Sequence, residues 1–334
     1  MNSPRISSPV GRQRPRRLRH TAALRDLVAE TRLNAAQFIM PHFVLPDDTA
    51  EEAIASMPGI GRQGITPLLR TVESDLGLGI RSVLLFGVPA AGTKDDVGSP
   101  AYDAHGTVPR AVSALKRAFG QDLVVITDVC LCAYTNHGHC GVLVDGYVDN
   151  DLSLSPLTKM AVAHAAAGAD LVGPSDMMDG RIAALRDGLD AAGHVRTGIM
   201  SYSVKYASSY YGPFRDAADS SPQHGDRRSY QMDLRNAAEG EREALLDAAE
   251  GADILMVKPA LAYLDVISRV RAVSSLPLAA YNVSGEYSMV KAAAANGWVD
   301  ERLVVRENLH AMARAGANLI ITYHAREALR GGWL

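Results

Sequence analysis

The only three cysteines of the chain, Cys130, Cys132 and Cys140, fall within eleven residues of one another. A disulfide framework would spread an even number along the chain, so a metal or a reactive thiol is the better reading. Cys130 and Cys132 are expected to share one face of a strand, because alternate strand residues point the same way. Cys140 returns after the turn-forming run His137-Gly138-His139. Three thiolates hold a zinc ion and leave its fourth position open, the layout of a catalytic centre. His139 is an alternative ligand in place of one thiol. Unpaired cysteines also pack as small apolar residues, but the clustering beside a Gly/His-rich turn argues against that here.

Two lysines supply a second chemistry. Lys205 ends the run Ser201-Tyr202-Ser203-Val204-Lys205, and Lys258 ends Met256-Val257-Lys258 before Pro259. Lysine at the end of an apolar run is not an ordinary surface charge. Desolvation disfavours its ammonium form, and a second ammonium nearby disfavours it further. A neutral amine is what Schiff-base formation with a ketone requires. For either lysine alone a structural ion pair is the competing reading; two at neighbouring strand ends favour a carbonyl substrate. Between them lies 206–240, rich in Ser, Gly, Pro, Arg and Asp, which reads as a lid or a solvated loop. It carries Arg215, Arg227 and Arg228, whose guanidinium forks match carboxylates. His42, His164 and His310 read as packing or surface residues, and Asp176 and Asp179 as helix-capping groups.

The elements that must position these groups follow from a recurring pattern: an Ala-rich helical stretch, a glycine, then a short β-branched run. It is clearest at Ala167–Val172, Glu250–Leu255 and Ala315–Ile320. Glycine ends a helix without strain, and repeated helix–Gly–strand units imply parallel strands with crossovers. Strand-like runs are Gln37–Val44, Ser82–Val88, Leu123–Leu131, Leu171–Ser175, Gly198–Lys205, Ile254–Pro259, Leu278–Ser284 and Leu319–His324. Helical patterns at Thr158–Ala167, Ile182–Ala192, Glu241–Ala249 and Val290–Ala295 separate several of them. Eight such runs predict an α/β fold, a (β/α)8 TIM barrel, with its chemistry at the C-terminal ends of the strands. The thiols, both lysines, Ser284-Gly285-Glu286 and Tyr323-His324 all fall at such ends. Gly59–Gly64 spells GxGxxG, but it lacks the preceding strand that a dinucleotide fingerprint requires.

Composition closes off other classes. With 334 residues, 47% hydrophobic and 21% charged, the chain has enough apolar material for a large core. A net charge of −3 gives no reason to expect nucleic acid or an anionic membrane as partner, and no apolar run is long enough to span a bilayer. Residues 1–25 hold seven arginines and no acid. They read as a solvated tail, a transit peptide or an arm docking on a neighbouring subunit. Helical spacing from Ala22 to Glu30 favours the arm, with a frayed tip. The expected organisation is therefore an extended N-terminal arm over 1–35 and a barrel over 36–334.

Several of these segments together resemble the delta-aminolevulinic acid dehydratase (porphobilinogen synthase) family nearly end to end. They are Arg14–Arg19, Asp128–Gly141, Pro174–Arg181, Met200–Asp216, Gly225–Tyr230, Met256–Pro259 and Val283–Tyr287. The resemblance implies a hydro-lyase of tetrapyrrole and heme synthesis that condenses two 5-aminolevulinate molecules into porphobilinogen with loss of two waters. It implies an arm that wraps a neighbour in a homo-octamer. It puts Schiff bases on Lys258 for the substrate supplying the propionate side and on Lys205 for the one supplying the acetate side. Arg215, Arg227 and Gln231 would grip the second substrate's carboxylate; Ser284 and Tyr323 would grip the first's. Zinc on Cys130, Cys132 and Cys140 would sit by the second substrate's amino group, with Asp128 orienting that amine or moving protons. Glu243 matches a position where many bacterial members bind an allosteric magnesium. Ser229 replaces a cysteine of eukaryotic members, so a second zinc is not expected there, and Gly173 and Asn282 are small departures that remove no named group. A Schiff-base aldolase on the same barrel is the alternative, with one essential lysine and no task for the thiols. A catalytically silent assembly or metal-storage barrel is a further one. A cytoplasmic location is expected.

Overall fold

The structure is a computed structural model that describes residues 13–334. Eight parallel strands form its centre: β1 (Phe38–Val44), β2 (Ser82–Gly87), β3 (Val124–Val129), β4 (Leu171–Pro174), β5 (Gly198–Lys205), β6 (Ile254–Lys258), β7 (Leu278–Asn282) and β8 (Leu319–Thr322). Each pairs with the next, and β8 pairs back to β1 with Phe38 opposite Ile320, so the sheet closes as a (β/α)8 barrel. Every residue of β1 and of β7 is buried. That is the near-continuous apolar reading expected of parallel strands covered on both faces.

The repeated Gly-Ala-Asp/Asn motif has a structural task. Gly168, Gly251 and Gly316 take φ of +106°, +106° and +122°, the region where side-chain-bearing residues are strained. Two residues on, an acidic or amide side chain accepts a backbone N–H at the start of the preceding strand. Asp170 accepts from Val125 at 2.7 Å, Asp253 from Ile199 at 2.7 Å and Asn318 from Leu278 at 3.0 Å. The backbone N–H of each of the three returns a bond to the same strand, to Val125, Ile199 and Leu278. The pairs β3/β4, β5/β6 and β7/β8 are thus set in register at the end of the barrel opposite the mouth.

Sequence and structure differ at three places that bear on the site. β3 stops at Val129, so Cys130 and Cys132 lie in the turn that follows, not on one strand face. β7 stops at Asn282, and Ser284 opens a helix running to Ala295, which the sequence reading began only at Val290. The helix after β4 is capped by Gly180 with no side-chain bond; Asp176 instead accepts the Met178 N–H at 2.9 Å, so neither Asp176 nor Asp179 caps it. Gly61–Gln63 of the GxGxxG run is a short strand paired antiparallel to Glu51–Ala53 and parallel to the end of β1. That hairpin leaves no phosphate-binding turn.

The described residues up to Arg32 form one unit, and Leu33–Leu334 the other. Within the first, Pro15–Arg19 make a 3-10 turn, and Ala22–Leu27 a helix whose Thr21 side chain caps Leu24 N–H. These two elements bury none of their residues. The expected frayed tip lies outside the described residues.

On the outside of β1, Asp75 of the helix Ile65–Gly77 is fully buried and accepts from Arg326 Nε at 2.6 Å and Nη2 at 2.8 Å. Burial raises the carboxyl pKa, but the Arg326 and His42 contacts outweigh it and hold the group down at about 2. A carboxylate held below its unfolded value of roughly 3.9 stabilises the fold above that pH and stops doing so as the pH falls through about 2. Asp75→Asn leaves the guanidinium unpaired and is expected to lose about 3 kcal/mol in urea unfolding at pH 7. The deficit should shrink toward pH 2; an unchanged midpoint at pH 7 would refute the role.

Candidate active site

At the mouth of the barrel, Lys205 and Lys258 are register partners on β5 and β6. Both are buried, at 4% and 5% exposure. Their environments differ. The Lys205 amine donates to the carbonyl of Ser175, just past β4. The Lys258 amine stands among aromatic faces, 4.4 Å from the Tyr281 ring centre, 5.0 Å from Tyr202 and Phe214, and 5.2 Å from Tyr211. Burial, and then the neighbouring Lys205 charge, push its pKa from 10.5 down to about 7. Cation–π attraction opposes this by about 2 kcal/mol, against roughly 5 kcal/mol in the shift itself. A large fraction of this amine is therefore neutral near neutral pH.

Asp128, on β3, carries its carboxyl toward both lysines; its Oδ1 is buried without a partner. Burial raises its pKa while the two lysines oppose the rise, so it is a group that can hold a proton in this setting.

Beside it the three thiols converge although they do not share a strand. The turn closed by Tyr134 and Thr135 N–H on the Leu131 carbonyl brings Cys130 Sγ to 3.3 Å from Cys132 Sγ. Cys140 joins them, all three sulfurs lying within 4.8 Å of one another. Thiolates on a tetrahedral zinc, about 2.3 Å from the ion, stand about 3.8 Å apart, so the set fits zinc. Hydrogen bonds from Cys130 and Cys132, with Arg227 and Lys205 nearby, hold Cys140 well below the usual thiol range, whereas Cys130 is raised. Both ring nitrogens of His139 are engaged, Nδ1 with Tyr230 Oη and Nε2 with the His224 carbonyl, each at 3.0 Å. His139 thus braces the thiol turn.

The segment 206–240 covers this mouth. The short helix Gly212–Ala218 sets Phe214 over Lys258 and carries Arg215. Arg227 donates to the carbonyls of Gly138, at 2.9 Å, and Ser220, at 2.5 Å. Arg215 Nε, Arg227 Nε and Gln231 Nε2 are buried donors with no partner among the described residues. Three such donors on one segment are what an incoming carboxylate would satisfy. Ser284 and Tyr323 are already engaged: Ser284 Oγ accepts the Phe214 N–H at 2.9 Å, and Tyr323 Oη lies 3.0 Å from Tyr281 Oη. The enclosed space beside Asp128, Cys130, Cys132 and Phe214 is about 20 Å3, room for roughly one water.

The matching family decides what this mouth belongs to: the sequence profile described as delta-aminolevulinic acid dehydratase covers residues 12–331. The chain belongs to the delta-aminolevulinic acid dehydratase family. It is 53% identical over 325 residues to the delta-aminolevulinic acid dehydratase of Synechococcus elongatus, covering 96% of this chain and 98% of that one. With the enzyme of that name from Bacillus subtilis it shares 51% over 321 residues, again 96% and 98%. The crystal structure of the Toxoplasma gondii enzyme, in complex with its reaction product porphobilinogen, superposes with a TM-score of 0.94 at 46% identity, over 96% of this chain and 91% of that one.

Glu243 lines a pocket of about 400 Å3 with Asp179, Asp233 and Glu239 and with Tyr230 and Gln231 of the covering segment. Burial, then Asp247 and Asp179, raise its pKa. Among the described residues it does not gather with two further ligands. Glu301, His324 and Glu327 do gather, but the Lys291 amine sits 2.7 Å from Glu301 and 2.6 Å from Glu327 and already fills that cluster. No helix among the described residues is long and apolar enough to cross a membrane.

Sequence reasoning missed the aromatic surround of Lys258 and the Ser175 carbonyl. Tyr202 and Tyr281 sit inside strands, where an aromatic reads as core; only the barrel closure shows that they face the amine. Because the Lys258 amine loses its proton near 7, borohydride trapping of a ketone at Lys258 should rise as pH increases through about 7. Peptide mass mapping across pH 5.5–9.5 checks this; trapping that rises only above roughly pH 9 would mean an ordinary lysine.

Proposed function

We propose that this chain condenses two molecules of 5-aminolevulinate into porphobilinogen with loss of two waters, through Schiff bases on Lys205 and Lys258. The observation that carries the reading is a desolvated, partly neutral Lys258 amine in register with a second buried lysine, beside a thiol triad and unpartnered carboxylate-binding donors. The family and the product-bound Toxoplasma gondii relative support the same reaction.

In this scheme the Lys258 amine attacks the ketone of the substrate that supplies the propionate side, and Lys205 that of the partner supplying the acetate side. Each attack expels the ketone oxygen as water. Holding both ketones on adjacent strands makes a bimolecular condensation effectively intramolecular. Arg215, Arg227 and Gln231 bind the second substrate's carboxylate, and Ser284 and Tyr323 the first's. Asp128 orients the second substrate's amine and takes or returns protons. Cys130, Cys132 and Cys140 would hold a zinc ion, which would supply the Lewis acidity that keeps a nearby amine unprotonated. Phe214 of 206–240 stands over the Lys258 amine, so this segment acts as a lid that lifts for entry.

An aldolase needs only one of these lysines and leaves the thiols without a task, so the two-lysine arrangement favours the dehydratase. Glu243 is the proposed magnesium ligand; a single protein carboxylate is in keeping with an ion that retains most of its waters. The exposed Tyr147, Leu246 and Trp298 offer apolar surface for a homo-octamer. The three buried, unpaired cysteines suit the reducing cytoplasm.

The test is porphobilinogen formation from 5-aminolevulinate by the purified chain, with and without a chelator. Product should be lost on chelation and return with zinc, not with magnesium alone. Activity indifferent to chelator would remove zinc from the scheme, and absence of product under every metal condition would overturn the reaction.

A further inference from the structure

The GxGxxG run, folded into a hairpin strand, has a structural use. Gly61 and Gly64 let the Gly61–Gln63 strand lie flat against the preceding loop: a Cβ on Gly61 would stand 2.8 Å from the Glu52 carbonyl oxygen, and one on Gly64 2.0 Å from that of Asp47. The hairpin thereby docks on the end of β1, with Arg62 opposite Phe43 and Gln63 opposite Val44. From there the Arg62 side chain reaches across the mouth to the lid helix Gly212–Ala218. Its Nε donates to the Ala217 carbonyl at 2.7 Å and its Nη2 to that of Asp216, while Nη1 is held by Glu52 at 3.0 Å.

Those two carbonyls belong to the last turn of the helix, where the backbone lacks partners of its own. Asp219 and Ser220 N–H both turn back onto Arg215. Asp216 and Ala217 are left to Arg62, a cation at the negative end of the helix. Asp219, in the left-handed region at φ +48°, is tied in turn by the Lys94 amine at 2.7 Å. The opposite end of the helix is pinned by Ser284 on Phe214 N–H. Arg62 therefore supplies two of the bonds that hold the end of the helix carrying Arg215 and Phe214, the latter standing over Lys258.

We infer that Arg62 is a positioning residue for the condensation: it clasps the closed lid from the β1 side and so presents Arg215 to the second substrate's carboxylate. This rests on reading 206–240 as the substrate-gripping lid. Arg62 touches no reacting atom, so its effect should fall on substrate binding more than on the chemical step. Two charge-assisted bonds to carbonyls are involved, and their loss should raise KM roughly tenfold or more, with kcat within about threefold.

The experiment compares the full-length wild-type protein with Arg62→Ala and Arg62→Lys, by hydrogen exchange over 212–220 without substrate and by steady-state kinetics. Exchange at least about tenfold faster in Arg62→Ala, with KM raised and both partly restored in Arg62→Lys, is expected. Exchange at the wild-type rate overturns the clasp whatever the kinetics. Faster exchange with unchanged KM overturns the positioning role. Should Arg62→Ala not fold, Arg62→Lys carries the same comparison with a smaller effect. The exchange measurement needs no turnover, so if the wild-type chain forms no porphobilinogen the proposed reaction fails while the clasp is still decided.

Discussion

Exclusion of water from the barrel mouth is the constraint on which the rest depends. A lysine in water keeps its proton far above neutral pH and is a poor nucleophile. The neutral form of Lys258 is favoured because Tyr202, Tyr211, Phe214 and Tyr281 surround it with ring faces and, among the described residues, no oxygen accepts from it. Lys205, one register position across, adds repulsion. Two of the four rings come from barrel strands and two from the segment that closes over them. The dryness that tunes the amine is therefore partly a property of the lid.

That coupling extends to the thiols. Arg227 of the covering segment donates to the Gly138 carbonyl in the loop that delivers Cys140, and its charge helps lower the pKa of that thiol. Tyr230, from the same segment, meets His139 and packs on the three cysteines. Lid, thiol turn and lysines thus form one connected arrangement. A displaced lid would expose Lys258 to water and remove Arg227 from Cys140 together.

Much of this was legible in the sequence, for identifiable reasons. The strands could be read because parallel strands covered on both faces are continuous apolar runs, and the Gly-Ala-Asx repeat marks their starts. Lys205 and Lys258 stood out because a charge at the end of such a run is anomalous. The cysteine cluster was visible, but its geometry was not: the sulfurs meet through a turn after Val129 instead of by alternation along a strand that continues to Cys132. The aromatic surround and the Ser175 carbonyl were out of reach, since a tyrosine in a strand looks the same whether it faces core or site. The role of Arg62 was hidden behind a motif whose spacing suggests phosphate and whose glycines serve a tight hairpin.

The two lysines are not equivalent, and the asymmetry bears on how one mouth handles two identical substrates. The Lys258 amine has no hydrogen bond to break before it meets a ketone, and its surroundings favour the neutral form. The Lys205 amine must first leave the Ser175 carbonyl. A Schiff base on Lys258 is neutral or cationic according to its own proton, and either way it changes the field felt by Lys205 and Asp128, whose carboxyl lies between attraction to both lysines and the cost of burial. A Schiff base formed first on Lys258, as proposed, would thereby change the electrostatic surroundings of the second amine. Identical substrates can then be given different roles because the amines that receive them start in different environments.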